Sequence, residues 1–230
     1  MRKKKTKFVI PDIYDILLAM IGVSLCGIGV GFANCAVLGL DSIGILYDGI
    51  RNVLGFSSDM LGVASFIVSG ILIVFLFFAA RKYVSLGTLI HTIAYGSFVT
   101  VGMIIYNAII SDNIMFIRIL FCVIGYLLLY VGIGIYIAID IGVDAFTGIV
   151  LYLADITHIE MKYVKIAFDI ALLIIGAILG GTLGVASFVT MIVAGPLINL
   201  FSKQFQKLYF KFKLKNMKNR KDKNKANKSK

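Results

Sequence analysis

Charge is scarce in this sequence. Only 15% of its 230 residues are Asp, Glu, Lys or Arg, where a soluble domain carries about 25%. It has no tryptophan, two prolines, two histidines and three cysteines, and each shortage excludes something. With 60% hydrophobic residues and a mean hydropathy of +0.96, a water-exposed globule would have too little polar surface to cover its apolar groups, so lipid must cover them. Cys26, Cys35 and Cys122 lie in apolar runs without CxxC spacing or neighbouring histidines. They are read as small apolar fillers, and neither a disulfide framework nor a metal site is expected. Without tryptophan, interfacial anchoring falls to Tyr and Phe. The chain has no P-loop, zinc-ligand helix motif, serine elbow or lysine buried in mid-helix, so neither an enzyme nor a cofactor is expected.

What the sequence does contain is a series of uncharged runs. A helix needs about 20 apolar residues to cross the roughly 30 Å hydrocarbon core. Ile16–Val37, Met60–Ala80 and Tyr83–Ser111 carry no charge, and Ile114–Ile139 carries only Arg118. The run from Tyr163 to Phe201 is too long for one crossing, and Leu179-Gly180-Gly181-Thr182-Leu183-Gly184 divides it. The expectation is an all-α polytopic membrane protein with six transmembrane helices. Two further segments are too short to span: Ser42–Leu54, with Ile43, Leu46, Tyr47, Ile50, Val53 and Leu54 at helical spacing, and Ala145–Asp155, with Phe146, Ile149, Val150 and Leu153. Both are expected to form short re-entrant or interfacial helices.

The positive charge is concentrated. Residues 203–230 hold twelve Lys/Arg against one acid, Asp222, a net +11 that equals the charge of the whole chain. This tail carries no nucleic-acid recognition motif, and anionic lipid headgroups are its expected partner, at roughly 1 kcal/mol per basic residue near the surface. Its Lys/Asn/Ser end is expected to be disordered. Arg2, Lys3, Lys4, Lys5 and Lys7, the pair Arg81 and Lys82, and the tail fall on one side when the crossings are even in number. That places a multi-pass protein in the cell membrane with both termini cytoplasmic. The basic start followed by an apolar run is like a secretory signal, but no small-residue cleavage site follows and the run is read as a retained anchor. The division is a basic amino terminus (1–12), a first membrane repeat (13–111), a second (112–202) and the tail (203–230).

The word "repeat" rests on spacing. Gly29-Val30-Gly31 leads to Gly39-Leu40-Asp41 just as Gly132-Ile133-Gly134 leads to Gly142-Val143-Asp144, at an offset of 103 residues. Gly87-Thr88 ending at Gly96 matches Ala186-Ser187 ending at Gly195 and Pro196, at an offset of 99. Three crossings per unit is an odd number, so the second unit enters the membrane upside down: a 3+3 inverted repeat. Secondary transporters share this architecture and bind solute near the midplane between their repeats; the step to transport is analogy.

The second half reads Tyr163-Val-Lys165-Ile-Ala-Phe-Asp169, then Ile175-Gly176, Leu179-Gly180-Gly181, Gly184-Val-Ala186-Ser187 and Ala194-Gly195-Pro196-Leu197-Ile198. This order and spacing resembles the bacterial YczE/YitT-like integral membrane proteins, and Gly39-Leu40-Asp41 and Leu86-Gly87-Thr88 extend the likeness loosely over residues 12–202. Lys165 stands where Arg is usual, Ala186-Ser187 replaces Gly-Thr, and the basic tail replaces the YitT-type soluble domain, which puts the chain on the YczE side. The resemblance implies a membrane protein without a settled biochemical activity.

Ionisable groups at membrane depth cost about 2.5 kcal/mol or more unless partnered, and so point to function. Asp169 lies four residues after Lys165, on one helix face, as an ion pair or a proton or cation site. Asp41 and Asp144 precede the short helices, where each caps free N–H groups and can face a cavity. These four residues are the candidate solute or ion site. Weaker candidates are His91, a proton carrier or a hydrogen-bonded core histidine, and Arg118, an anion contact or a snorkelling side chain. Asn34 and Asn107 are expected to make interhelical hydrogen bonds. Gly39, Gly142, Gly87, Thr88, Gly180, Gly181, Gly195 and Pro196 are read as turn and packing positions, and Gly27 with Gly31, and Gly176 with Gly180, as close helix contacts. The function expected is a small permease-like transporter or a ligand-binding membrane subunit for an unknown small solute, including the solute-capturing subunit of an ATP-driven importer. The alternative is an accessory or scaffold protein that docks a membrane partner through its basic tail. A homodimer fits either.

Overall fold

The computed structural model describes residues 12–110 and 114–228. The basic cluster from Arg2 to Lys7 and the short loop Ser111, Asp112 and Asn113 lie outside the described residues. Among the described residues there are eight α-helices, single 3₁₀ turns at Ser58–Met60 and Arg81–Tyr83, and no strand. The helices are α1 (Ile13–Ala36), α2 (Ser42–Val53), α3 (Leu61–Ala79), α4 (Leu86–Ile109), α5 (Met115–Ile139), α6 (Ala145–Thr157), α7 (Met161–Ile178) and α8 (Val185–Lys228).

Five of them are long and apolar enough to cross a membrane: α1, α3 with its preceding turn, α4, α5, and α8 as far as Lys211. The expected count was six. Of the other three helices, α2 and α6 are short, and α7 has 18 residues with Lys162, Lys165 and Asp169 among them. The outside of the bundle is apolar: Phe78 is 82% exposed, Ile178 78% and Ile192 77%. Water would penalise such a surface and hydrocarbon would not. These features make the chain a multi-pass helical membrane protein. The basic tail, for which composition suggested partial disorder, continues α8 without a break to Lys228.

Glycine sets how closely the helices approach. α1 lies between α4 and α5, and α5 also packs on α8. On the α5 side, a Cβ on Gly125 would sit 2.5 Å from the Gly29 carbonyl oxygen, and one on Gly22 3.0 Å from that of Gly132. On the α4 side, a Cβ on Gly31 would meet the Val99 carbonyl oxygen at 2.5 Å. Backbone therefore touches backbone along both faces of α1, as small residues permit when lipid supplies no hydrophobic drive between helices.

The short helices lie among the others. α2 packs on α7 and α3, and its consecutive residues 44–49 are buried; α6 packs on α3 and α7. Each is entered by the same backbone path. α1 ends at Val37 (φ 52°), passes Gly39 (φ 113°) and reaches the N-cap Asp41 at φ −67°, ψ 168°. α5 ends at Asp140 (φ 56°), passes Gly142 (φ 147°) and reaches the N-cap Asp144 at φ −66°, ψ 165°. The positive φ explains both glycines, since a side chain there is strained. Space explains them again: a Cβ on Gly39 would lie 2.7 Å from the Gly184 amide nitrogen, and one on Gly142 would strike Ser85.

Candidate functional site

An aspartate at an N-cap accepts from the free N–H groups of the first turn. Asp144 does so fully: one oxygen accepts from the Thr147 amide at 3.1 Å and the other from the Thr147 hydroxyl at 2.5 Å. The position matching Thr147 in the first half is Gly44, which has no hydroxyl to give. Asp41 Oδ1 is buried with no hydrogen-bond partner.

Asp41 has charged neighbours instead. On α7, Lys165 Nζ donates to both oxygens of Asp169 at 2.6 and 2.7 Å. The Ser42 hydroxyl, one residue after Asp41, donates to Asp169 at 3.2 Å. The ion pair is half-buried, with Lys165 41% and Asp169 26% exposed. Asp41, Lys165 and Asp169 are thus brought together where α2 meets α7, while Asp144 lies apart at the head of α6.

A wall of rings connects the two caps. Tyr47 packs edge-on to Phe146 at 5.6 Å and near Tyr95 at 6.2 Å, and shares a 3.0 Å hydrogen bond with the Ser69 hydroxyl. His91 stacks on Tyr95 at 5.1 Å and meets the Tyr136 ring at 5.4 Å. Tyr47, Tyr95 and the Cys26 thiol lie within electrostatic reach of both carboxylates. Here the buried Thr92, Tyr130 and Tyr136 hydroxyls also have no hydrogen-bond partner. A buried polar atom left unpaired costs about 1–3 kcal/mol; Tyr136 belongs to this ring cluster, Thr92 follows His91 on α4, and Tyr130 stacks on Tyr126 of α5. Among the described residues no group of three His, Cys, Asp or Glu could hold a metal ion. The cluster gathers hydroxyls, aromatic rings and carboxylate, groups whose chemistry suits a polar or cationic solute.

The turns are cross-braced between halves. Thr88 Oγ1 donates to the Val143 carbonyl at 2.6 Å, joining the start of α4 to the Gly142–Asp144 turn. The Ala186 amide donates to the Leu38 carbonyl at 3.0 Å, joining the start of α8 to the Gly39–Asp41 turn. Tyr126 of α5 donates to the Gly39 carbonyl at 2.8 Å. Gly87 leaves room for Tyr136, whose hydroxyl a Cβ there would meet at 2.8 Å. Gly180 takes φ 84° in the α7–α8 turn, and Gly181 packs against α2.

Other sequence candidates lie elsewhere. Arg118 donates to the Ala36 carbonyl at 2.8 Å and the Val37 carbonyl at 3.2 Å, so it caps the end of α1. Gly195 and Pro196 fall inside α8, and a Cβ on Gly195 would meet nothing within 4 Å, so this pair forms no turn and no close contact. Asn34 reaches the Ser58 carbonyl and the Met103 sulfur.

The sequence reading missed Asp48. It is 1% exposed and accepts from Arg51 Nε at 2.8 Å, the Thr182 amide at 2.8 Å and the Thr182 hydroxyl at 2.6 Å, which fastens α2 to the α7–α8 turn. Its i, i+3 spacing to Arg51 was visible; the acceptor role toward a residue 134 positions away was not. Asp15, 5% exposed, was also missed; it accepts from the Tyr209 hydroxyl at 2.6 Å and pairs with Lys213 at 3.4 Å.

Residues 13–203 match the profile of a family described as "Family of unknown function (DUF6198)". The chain is also similar to an uncharacterized protein of Haemophilus influenzae, 24% identical over 186 residues that cover 81% of this chain and 82% of that one. No solved structure matches it.

Proposed function

Because the chain belongs to the DUF6198 family, whose function is unknown, we propose from geometry that it is a small permease-like transporter or ligand-binding membrane subunit. Its site is the aromatic and carboxylate cluster between α2 and α6. The observation that carries this reading is the set of buried, unpartnered polar atoms at Asp41, Thr92, Tyr130 and Tyr136. A core built only to be stable would pair them or replace them with apolar groups.

In this reading α7 is the sixth crossing, its charges half-buried against α2, and the two halves form a 3+3 inverted repeat with re-entrant α2 and α6. Pairings that exchange under the 103 and 99 offsets support it. The α1–α4 packing corresponds to α5–α8, and α2–α7 to α6–α3. Gly22 faces Gly132 and Gly29 faces Gly125, and the 103 offset relates Gly22 to Gly125 and Gly29 to Gly132, so the two pairs exchange. The resemblance to YczE/YitT-like proteins, the cell membrane, cytoplasmic termini and anionic lipid at the basic tail complete the proposal. The solute passes without chemical change, and no enzyme activity is assigned.

The test is thermal unfolding of the purified, detergent-solubilised protein against metabolites and ions, with Asp41→Asn, Asp144→Asn and Asp169→Asn in parallel. A ligand of the folded state adds about 2.7 kcal/mol at a hundredfold excess over its Kd. A hit lost in the mutants supports the site; a hit kept by all three removes it. The unbroken run of α8 to Lys228 favours a second reading, a scaffold that docks a membrane partner. Removing 211–230 should then abolish function while the Asn variants retain it.

A further inference from the structure

We infer that Asp41 is a proton-exchanging carboxylate, so that two caps with the same backbone differ in work because they differ in hydrogen bonding: Asp144 is engaged through both oxygens, and Asp41 leaves one without a partner. The inference rests on the proposed site being the working site of the protein and supplies the chemistry of its coupling.

The division follows from one side-chain difference. At Asp144 both oxygens are engaged by Thr147. At Asp41 the matching residue is Gly44, and Oδ1 is buried without a partner. An ionised carboxylate accepts only; the backbone amides of Asp41 and Gly44 serve this group, but Oδ1 is left without a partner and is costly while charged. A proton taken onto Oδ1 removes the charge and turns the acceptor into a donor.

Burial disfavours the charge on Asp41, and Lys165 opposes that effect. Lys165 and Asp169 face it from α7, Tyr126 and Tyr130 from α5, Tyr95 from α4, Cys26 from α1 and Tyr47 from its own helix. Lys165 is the one cation in that set, and Asp169 already binds it through both oxygens. The Tyr130 hydroxyl, 3% exposed as a residue, also lacks a partner. The route for the proton runs from water at the half-exposed Lys165–Asp169 pair, past the Ser42 hydroxyl that donates to Asp169, to the adjacent Asp41.

The second half suggests how to switch the exchange off. A Cβ on Gly44 would lie 2.8 Å from Asp41 Oδ1 and 3.1 Å from Leu40 Cβ. The oxygen is the end of a rotatable group and can turn aside, as the carboxylate of Asp144 does beside Thr147. Gly44→Thr therefore gives Asp41 the missing hydroxyl.

The experiment is infrared difference spectroscopy of the full chain in lipid nanodiscs as pH is stepped, reading the C=O stretch of a protonated carboxyl group. The wild type should show the band, Asp41→Asn should lose it and Asp144→Asn should keep it. Gly44→Thr should move its midpoint down by about 1–2 pH units, the worth of a hydrogen bond to a charged group. Gly44→Thr keeps the aspartate, so it carries the test if Asp41→Asn fails to fold. A band lost in Asp144→Asn, or unchanged in both Asp41→Asn and Gly44→Thr, overturns the inference. An Asp41 band in a protein that no solute stabilises would sink the transport reading and leave the titration standing; a solute hit without the band would do the reverse.

Discussion

Replacing Gly125 by alanine adds one methyl group at the tightest part of the α1–α5 crossing. Its Cβ would lie 2.5 Å from the Gly29 carbonyl oxygen, 3.1 Å from Phe32 Cβ and 3.2 Å from the Ala33 amide nitrogen. Two of these three neighbours are backbone atoms, so no rotamer change relieves them. Restoring ordinary contact of about 3.5 Å requires the helices to part by about 1 Å, and such a gap forfeits a quarter to a half of each affected dispersion contact. Overpacking of this kind costs about 1–3 kcal/mol. Gly70 and Gly195 provide the control, because a Cβ on either meets nothing within 4 Å, and alanine there should stabilise by about 0.5–1 kcal/mol through helix propensity. Gly22→Ala, with its nearest contact at 3.0 Å, should fall between. The assay is reversible unfolding in mixed detergent for all four variants. Equal stability of Gly125→Ala and Gly195→Ala would refute the backbone-contact account of the crossing.

Asp48→Ala leaves Arg51 and two Thr182 donors without their buried acceptor and should cost about 3–5 kcal/mol in thermal unfolding, while Thr182→Val should cost about 1.5–3 kcal/mol. Joint replacement of Asp48 by Leu and Arg51 by Met should unfold at a higher temperature than Asp48→Ala. Tyr130→Phe and Tyr136→Phe remove hydroxyls that have no partner, so each should be neutral or stabilising, yet weaken any solute found by thermal shift. Arg118→Met removes both donors from the end of α1 and should lower stability by about 1–3 kcal/mol, seen as earlier hydrogen exchange at the carboxyl-terminal turn of α1.

Much of the helix framework was legible in the sequence, because apolar runs in lipid have little freedom to be anything else. Ile16–Val37 became α1 within three residues at its start, and the short segment expected from Ser42 to Leu54 is α2 from Ser42 to Val53. The Lys165–Asp169 pair was also readable, since i, i+4 spacing on a helix is a local fact. Asp48 was not: its acceptor role depends on Thr182, and nothing near residue 48 announces that partner. The count of crossings was read from uncharged length, and α7 shows the limit of that criterion, since Lys162, Lys165 and Asp169 fall within its 18 residues. The four unpartnered atoms were invisible for the same reason, because a hydroxyl's lack of a partner is a property of the packed bundle.

The position of α1 between α4 and α5 also bears on how the protein is made. α1 emerges from the ribosome before α4 and α5, and the face that carries Gly22 and Gly29 has no counterpart until α5 follows about a hundred residues later. At about 5–20 residues per second that wait is on the order of 5–20 s. During this interval a glycine-lined seam lies open to lipid or to the insertion machinery, and any other nascent helix with small residues competes for it. Correct assembly therefore depends on α1 staying uncommitted until its late partner arrives, and variants that slow synthesis between α2 and α5 should raise the misassembled fraction without changing the stability of the finished protein.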